Sequence, residues 1–412
     1  MSALNSGSGR CEPDPGTSLA LALAALGSAA DHFWSFMEDR SVRFLPQQLA
    51  PMFFSTLGQM VTGRGDPAAR RAALSVVGRM YRRLGLHPYH GTVVAAAMVD
   101  TVRRFAGASW EPDLAGYWEV GCRRAHRLAE RAAEVLGDGP HVTVAEVVAC
   151  EAACDGVAVL TVRPARRLRY LPGQAMPVCT PRLAGQWRWL SPANAARADG
   201  TVEFHVRAVP TGVVSPVLVE QVRPGEVVWL GPALNVGLSL EQAGEADLLL
   251  AAGGTGLAPL RALVEQVAVS PVRRRVTLVV GARTLLDLYD AVALDKLQQA
   301  HGDWLTVVLA FSDDRDVEPT AQGDLLSVAL HHHRPGQAFY VCGSPPLVEA
   351  ARRRLPLAGV ASESLHLATT FRHALDSARW MSRQRVAHAA ESKVADAAAG
   401  NSGSSRSASD AT

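Results

Sequence analysis

The stretch Leu248-Leu-Leu-Ala-Ala-Gly253-Gly254-Thr255-Gly256-Leu257-Ala258-Pro259 sets the architecture of this chain. A short apolar run passes directly into a glycine-rich turn, and an amphipathic segment from Leu260 to Val267 follows. That order predicts a strand, a phosphate-binding turn and a helix start. Glycines let the backbone come close to a pyrophosphate, while free N–H groups of the first helical turn face its charge. Alone, such a turn is weak evidence, so its surroundings matter.

Upstream lie Gln186-Trp187-Arg188-Trp189-Leu190-Ser191, His205-Val206-Arg207 and Gly212-Val213-Val214-Ser215; downstream lie Val279-Val280-Gly281-Ala282-Arg283 and Phe339-Tyr340-Val341-Cys342-Gly343-Ser344-Pro345. Singly these have ordinary readings. Gly212 suits any turn, and Val276 to Val280 and Phe339 to Cys342 have the pattern of buried parallel strands. In this order they resemble the ferredoxin-reductase type of FAD and NAD(P)H oxidoreductase, over about residues 142 to 371. The guanidinium fork of Arg188 matches the oxygens of a flavin phosphate. Ser191 offers a hydroxyl where a flavin ring would hydrogen-bond, and Ser215 reads as a helix cap beside N–H groups that hold the pyrophosphate. The resemblance implies further cofactor contacts at Trp189, Leu190, His205, Val206, Arg207, Gly212, Val213 and Val214. For NADH or NADPH it implies Gly253, Gly254, Thr255 and Gly256 around the phosphates, with Pro259 shaping the helix start. Gly281 belongs to this set, Arg283 would meet an adenosine phosphate, and Cys342, Gly343, Ser344 and Pro345 lie beside the nicotinamide. Ser191 and Cys342 are the catalytic candidates of this half.

Some positions depart from that pattern. Pro172-Gly173-Gln174 is followed by Ala175 where family members carry an aromatic, and Ala368 to Phe371 match the usual acidic and aromatic pair only loosely. Leu190 stands where a tyrosine is usual, a loss worth on the order of 1 kcal/mol of stacking or hydrogen bonding.

With 412 residues, the length predicts about two or three domains. Net charge is +2, and Lys296 and Lys393 are the only lysines, so basic character is almost all arginine. Arg273-Arg274-Arg275 and Arg352-Arg353-Arg354 read as solvated faces, because no aromatics are interleaved for base stacking. No nucleic-acid partner is expected. The cysteines at 11, 122, 150, 154, 179 and 342 show no paired metal spacing, and Cys150 and Cys154 read as small core residues. A reducing cytoplasm is the expectation. Leu19 to Leu26 is apolar but too short to span a bilayer and reads as a buried helix, so no membrane partner is expected.

Along the chain the pattern predicts disorder over 1–17 and helices over 18–137, with Phe33, Trp34, Phe36 and Met37 on one apolar stripe and Val93, Val94, Met98, Val102 and Phe105 on another. Gly137-Asp138-Gly139-Pro140 is the joint. Alternating β-branched runs over 141–240 predict a barrel, strands alternating with helices over 244–371 predict a parallel α/β sheet, and 374–412 reads as a disordered tail.

A helical domain, a flavin barrel and a nicotinamide domain in succession form the arrangement of flavohaemoglobins. Arg82-Arg83-Leu84-Gly85-Leu86, Arg103-Arg104-Phe105-Ala106-Gly107, and Trp110-x-Pro112 with Trp118 resemble their globin module. Thr161-Val162-Arg163-Pro164, Phe204 to Pro210 and Gly281-Ala282-Arg283-Thr284 resemble the reductase half of the actinobacterial members. The resemblance implies a multidomain chain: an all-α globin-like domain, an antiparallel β-barrel for FAD and a Rossmann-like α/β domain for NAD(P). It also implies haem b, O₂ and nitric oxide as partners, and nitric oxide dioxygenase as the inherited activity. The haem positions, however, are altered. Tyr81 stands for the proximal histidine, Trp34 for the distal tyrosine, Gln48 or Leu49 for the distal glutamine, Gly91 for the supporting tyrosine, and Arg131 or Glu130 for its glutamate.

Three readings stay open here. Tyr81 ligates iron as a phenolate, for which ionisation at neutral pH costs about 4 kcal/mol before the metal offsets it. Alternatively the register slips and His87 or His90 is the ligand. Or the pocket holds no haem and Trp34 fills its volume. Without haem, the chain would be a flavin reductase for another acceptor, or a redox-sensing protein whose helical domain docks a partner. His331-His332-His333 reads as a solvated helix end, His205 as a residue near the flavin or on the barrel surface, and Arg64-Gly65-Asp66 as a loop.

Overall fold

The computed structural model describes residues 15–39, 50–62, 67–84, 90–133 and 142–368. Residues 1–14 and 374–412, the joint at 137–140, and Gln48, Leu49, His87, Phe371 and the tripeptide 64–66 lie outside the described residues.

The N-terminal helices are α1 (Pro15–Glu38), α2 (Ala50–Thr62), α3 (Pro67–Leu84), α4 (His90–Ala106) and α5 (Pro112–Ala133). Prolines open α1, α3 and α5, where the missing N–H has no helical partner to lose. Pro15 therefore starts α1 inside the segment expected to be disordered, and residues 15–17 are helical. On α3, Ala72, Ala73, Val76, Val77, Met80 and Tyr81 form one buried stripe; on α5, Cys122, Ala125, His126, Ala129 and Ala132 form another. The alanines let α3, α4 and α5 approach closely around Phe33, Phe53, Leu57 and Met98.

The next unit is antiparallel. Its strands are β1 (Thr143–Cys154), β2 (Val157–Pro164), β3 (Gln174–Cys179), β4 (Arg188–Leu190), β5 (Val202–Arg207), β6 (Val227–Leu230) and β7 (Leu234–Asn235), with the short helix α6 (Val214–Glu220) between β5 and β6. They run in the order β4-β3-β6-β1-β2-β5, with β7 on β3, and a bridge from Pro192 to Phe204 brings the chain after β4 onto β5. In β1, Ala145 and Val147 face the core while Val144, Glu146 and Val148 face out, the period of a one-sided strand. Cys150 and Cys154, further along β1, are only half-buried, because a register shift ends that alternation.

The last unit is parallel. Strands β8 (Leu248–Gly253), β9 (Val276–Ala282), β10 (Leu305–Phe311), β11 (Ala338–Cys342) and β12 (Leu365–Leu367) lie in the order β10-β9-β8-β11-β12. Helices α7 (Leu257–Ala268) and α8 (Ala291–His301) cover one face, α9 (Leu325–His332) and α10 (Pro345–Leu357) the other. Alternation along β8 serves both faces: Leu248, Leu250 and Ala252 meet α7, whereas Leu249 and Ala251 meet α9 and α10. The strand order reverses between β8 and β11, so the crevice at their carboxyl ends is where such a sheet takes a ligand. His331 and His332 end α9 exposed to solvent.

A large, fully buried side chain anchors the helical unit to the barrel. Trp187, just before β4, is 0% exposed and lies within the helical core beside Cys179, its indole N–H donating to Thr56 Oγ1 at 3.1 Å. Among the described residues, no helix is long and apolar enough to cross a membrane.

Candidate functional site

The glycine turn forms as its residue types require. Gly253 ends β8, Gly254 takes φ +53°, and residues 254–256 make one tight turn before α7 begins at Leu257. Bare backbone is needed there. A Cβ on Gly256 would lie 2.3 Å from the Cys342 carbonyl oxygen, and one on Gly343 would lie 2.6 Å from Leu347 Cδ2. The carboxyl ends of β8 and β11 are thereby pressed together, and Pro259 is buried in the first turn of α7.

Across from this edge stands the barrel. A cleft of about 750 Å³ separates the two units, lined by Arg188 to Ser191 and His205 to Arg207 on one wall. Gly253 to Gly256, Pro259, Gly281, Arg283 and Cys342 to Pro345 line the other. The volume lies in the range of cofactor pockets. Leu190 packs on the barrel core, whereas Trp189 touches both the helical core and that of the α/β unit. Burial pushes the Cys342 thiol up to about 12, so it stands there as a neutral thiol rather than a thiolate. Arg283 is exposed at the rim and pairs with Asp287 at 3.1 Å.

A second cavity of about 250 Å³ adjoins the first, lined by Gln59, Thr62 and Arg70 of the helices and by Gly185, Gln186, Arg188 and Gly212 to Ser215 of the barrel unit. Arg188 and Ser215 line both cavities. Ser215 is not the expected helix cap. Val213 holds that position, and Ser215 is the second residue of α6, its Oγ accepting from the Val209 N–H at 3.1 Å. The hydroxyl stitches the preceding turn to the helix. Ala175 is buried at the junction with Val236 and Leu238 and lines neither of these two cavities.

His205 lines the large cleft and is not on the barrel surface: its side chain is fully buried between the two nucleotide units. Its Nδ1 is 2.8 Å from the Tyr289 hydroxyl, and its Nε2 is 3.0 Å from Glu203. Glu203 also accepts from Arg261 on α7 at 2.7 Å, and Arg261 donates to Asp290 at 2.8 Å. Burial alone would raise the Glu203 carboxyl, but the His205 hydrogen bond and the Arg261 charge outweigh it and hold it at about 2. Burial, with the Asp290 charge, raises Tyr289 well above its ordinary value. Sequence reasoning missed this lock. Its signal was Arg261 within the otherwise apolar run Leu260 to Val264, a charge that can be buried only when paired.

In the helical unit, Tyr81 is 2% exposed and its hydroxyl lies 2.5 Å from His126 Nδ1, within hydrogen-bond distance. His126 Nε2 lies 3.4 Å from Glu130, the residue one place from Arg131, which is exposed. Burial, then the Glu130 charge, raise the Tyr81 phenol well above its ordinary value. The ring lies 6.5 Å from that of Phe53, and Phe33, Met37, Leu57, Met80 and Met98 fill the space around them. Trp34 is half-buried at the margin of this core, with Phe33 inside it. Residues so packed do not fit a haem. The Tyr81 phenol, held neutral by burial, is hydrogen-bonded to His126, and Trp34 lies at the margin of the core. Among the described residues, no cluster of His, Cys, Asp or Glu could hold a metal ion.

A barrel facing the carboxyl edge of a nucleotide-type sheet across a glycine-walled cleft defines a two-unit flavin–nicotinamide oxidoreductase. Residues 145–235 match the family described as the oxidoreductase FAD-binding domain, and residues 250–353 the oxidoreductase NAD-binding domain. The ferredoxin–NAD(P)(+) reductase component of the naphthalene 1,2-dioxygenase system of Pseudomonas putida is 30% identical over 242 residues, 57% of this chain and 70% of that one. The electron transfer component of the xylene/toluene monooxygenase of Pseudomonas putida is 30% identical over 208 residues, 50% of this chain and 58% of that one. This chain therefore spans only part of the relatives it matches. The solved ferredoxin reductase of a carbazole 1,9a-dioxygenase superposes with a TM-score of 0.51 at 27% identity, over 58% of this chain and 72% of that one. A flavohaemoglobin from Malassezia yamatoensis, solved with FAD and haem, has a TM-score of 0.52 at 15% identity over 86% of this chain and 97% of that one, a likeness of fold. The chain belongs to the ferredoxin-reductase type of FAD and NAD(P)H oxidoreductases.

Proposed function

We propose that this chain takes a hydride from NADH or NADPH onto FAD in the large cleft and passes the electrons to an acceptor outside itself. The observation that carries this reading is the opposition of Arg188 to Ser191 and His205 to Arg207 against Gly253 to Gly256 and Cys342 to Pro345 across one cleft. FAD supplies the conversion of a two-electron donor into one- or two-electron transfer onward. The residues supply position. Arg188 would pair with the flavin phosphates, and Ser191 would offer its hydroxyl to the ring. Gly253 to Gly256 admit dinucleotide phosphates to bare backbone, and Cys342 to Pro345 border the place where the nicotinamide lies. Holding two rings in contact away from water is the main protein contribution to such a step.

Reductase and electron-transfer components of oxygenase systems are among the relatives, which supports a separate electron-transfer protein as acceptor. The free thiols at Cys122, Cys150, Cys154, Cys179 and Cys342 support a reducing, cytoplasmic setting. The test is NAD(P)H oxidation by flavin-loaded protein with ferricyanide, then with a ferredoxin. Oxidation that depends on added flavin supports the reading; a flavin-loaded chain that leaves NADH and NADPH untouched overturns it.

A second reading, nitric oxide dioxygenation on a globin-like domain, is favoured by the likeness of fold to the Malassezia protein. Against it stands Tyr81, hydrogen-bonded to His126 in a filled core. Expression with ample haem separates the two: a Soret band supports the second reading and its absence the first.

A further inference from the structure

Resting on the flavin reading above, we infer that the helical unit completes the FAD site: Arg70 on α3, with Gln59 and Thr62 on α2, holds the adenylyl half of the dinucleotide in the second cavity. The geometry is one of two adjoining rooms that share wall residues. The flavin ring must meet the nicotinamide, and only the large cleft has both Ser191 and the Gly253 to Gly256 and Cys342 to Pro345 edge on its walls. The second cavity has none of these and shares Arg188 and Ser215 with the first. A dinucleotide whose pyrophosphate lies at Arg188 therefore sends its other half into the smaller room. At about 250 Å³ that room lies just below the range of a self-standing ligand pocket, which suits part of a larger molecule.

The lining chemistry agrees. Arg70 and Arg188 bring cationic forks from opposite units, and such forks recognise phosphate oxygens bidentately. Gln59 adds an amide, and the Thr62 hydroxyl, which donates to the Gly58 carbonyl at 2.8 Å, keeps acceptor capacity for a ribose hydroxyl. The walls are held in register by tight packing. Trp187 is sunk into the helical core one residue before Arg188, and Gly185 at φ +81° lies so close to α2 that a Cβ would stand 2.5 Å from the Ser55 carbonyl oxygen. The helical unit is thus a fixed wall of the flavin site.

FMN, which lacks the adenylyl half, makes the test selective. Dissociation constants of FAD and FMN are measured by fluorescence on flavin-stripped full-length wild type, Arg70→Glu, Arg70→Lys and, as a charge control on α4, Arg104→Glu. The expected result is FAD weakened about tenfold or more by Arg70→Glu, with FMN within about twofold of wild type and Arg70→Lys in between. Retained FMN binding shows that the variant folds. FAD and FMN weakened equally by Arg70→Glu, FAD unaffected by it, or the same loss from Arg104→Glu would overturn the assignment. A wild type that binds neither flavin overturns the flavoprotein reading itself.

Discussion

Gly91 and His126 show how one small residue fixes the interior of the helical unit. A Cβ on Gly91 would sit 2.5 Å from His126 Cδ2, so the imidazole hydrogen-bonded to Tyr81 occupies the room a side chain at 91 would need. Gly91→Ala should therefore destabilise the protein by about 1–3 kcal/mol, read from urea unfolding. In His126→Ala the same substitution should cost far less; equal costs in both backgrounds would refute the steric account. Glu203 makes a pH-dependent prediction. Its folded carboxyl sits at about 2, below the ordinary value, so its stabilisation is present above about pH 4.5 and fades as pH falls toward 2. The stability difference between wild type and Glu203→Gln should be on the order of 3 kcal/mol at neutral pH and shrink through that acid window. A difference independent of pH would contradict it.

The elements differ in how far their sequences declare them. β8 and its glycine turn were readable because one apolar run serves both faces of a parallel sheet and then meets residues that only a close backbone approach needs. The barrel strands were readable from alternation, and the helices from their stripes. Less was visible where a distant partner sets the outcome. Pro15 opens α1 earlier than composition implied, Ser215 trades capping for a bond to the Val209 N–H, and His205 is buried because α7 brings Arg261 against Glu203. No local pattern encodes those pairings. Arg261 joins β5 to the turn before α8 through Glu203 and Asp290, so Arg261→Met should leave both largely buried carboxylates without its guanidinium. A loss of about 3–5 kcal/mol is expected in thermal or urea unfolding at neutral pH. Recovery below pH 4, as the carboxyls take up protons, should accompany it; a change under about 1 kcal/mol would remove the lock from the account.

The described residues form three units around two adjoining cavities, with Trp187 fastening the helices to the barrel and Arg261 fastening the barrel to the α/β unit. Trp187→Ala should cost about 3–5 kcal/mol and loosen FAD along with the fold, since it empties the helical core and frees the segment carrying Arg188. Unchanged unfolding would deny the anchor. On the proposed reading, function is held by surfaces from every unit rather than by one motif, while Tyr81 and His126 are packed within the helical core. An anaerobic absorption spectrum of full-length protein made with ample haem and flavin, taken before and after NADH or NADPH, weighs both statements together. Flavin bands that bleach on adding the nicotinamide, with no Soret band, are the predicted result. Protein without flavin bands, flavin that neither nicotinamide bleaches, or a strong Soret band would contradict it.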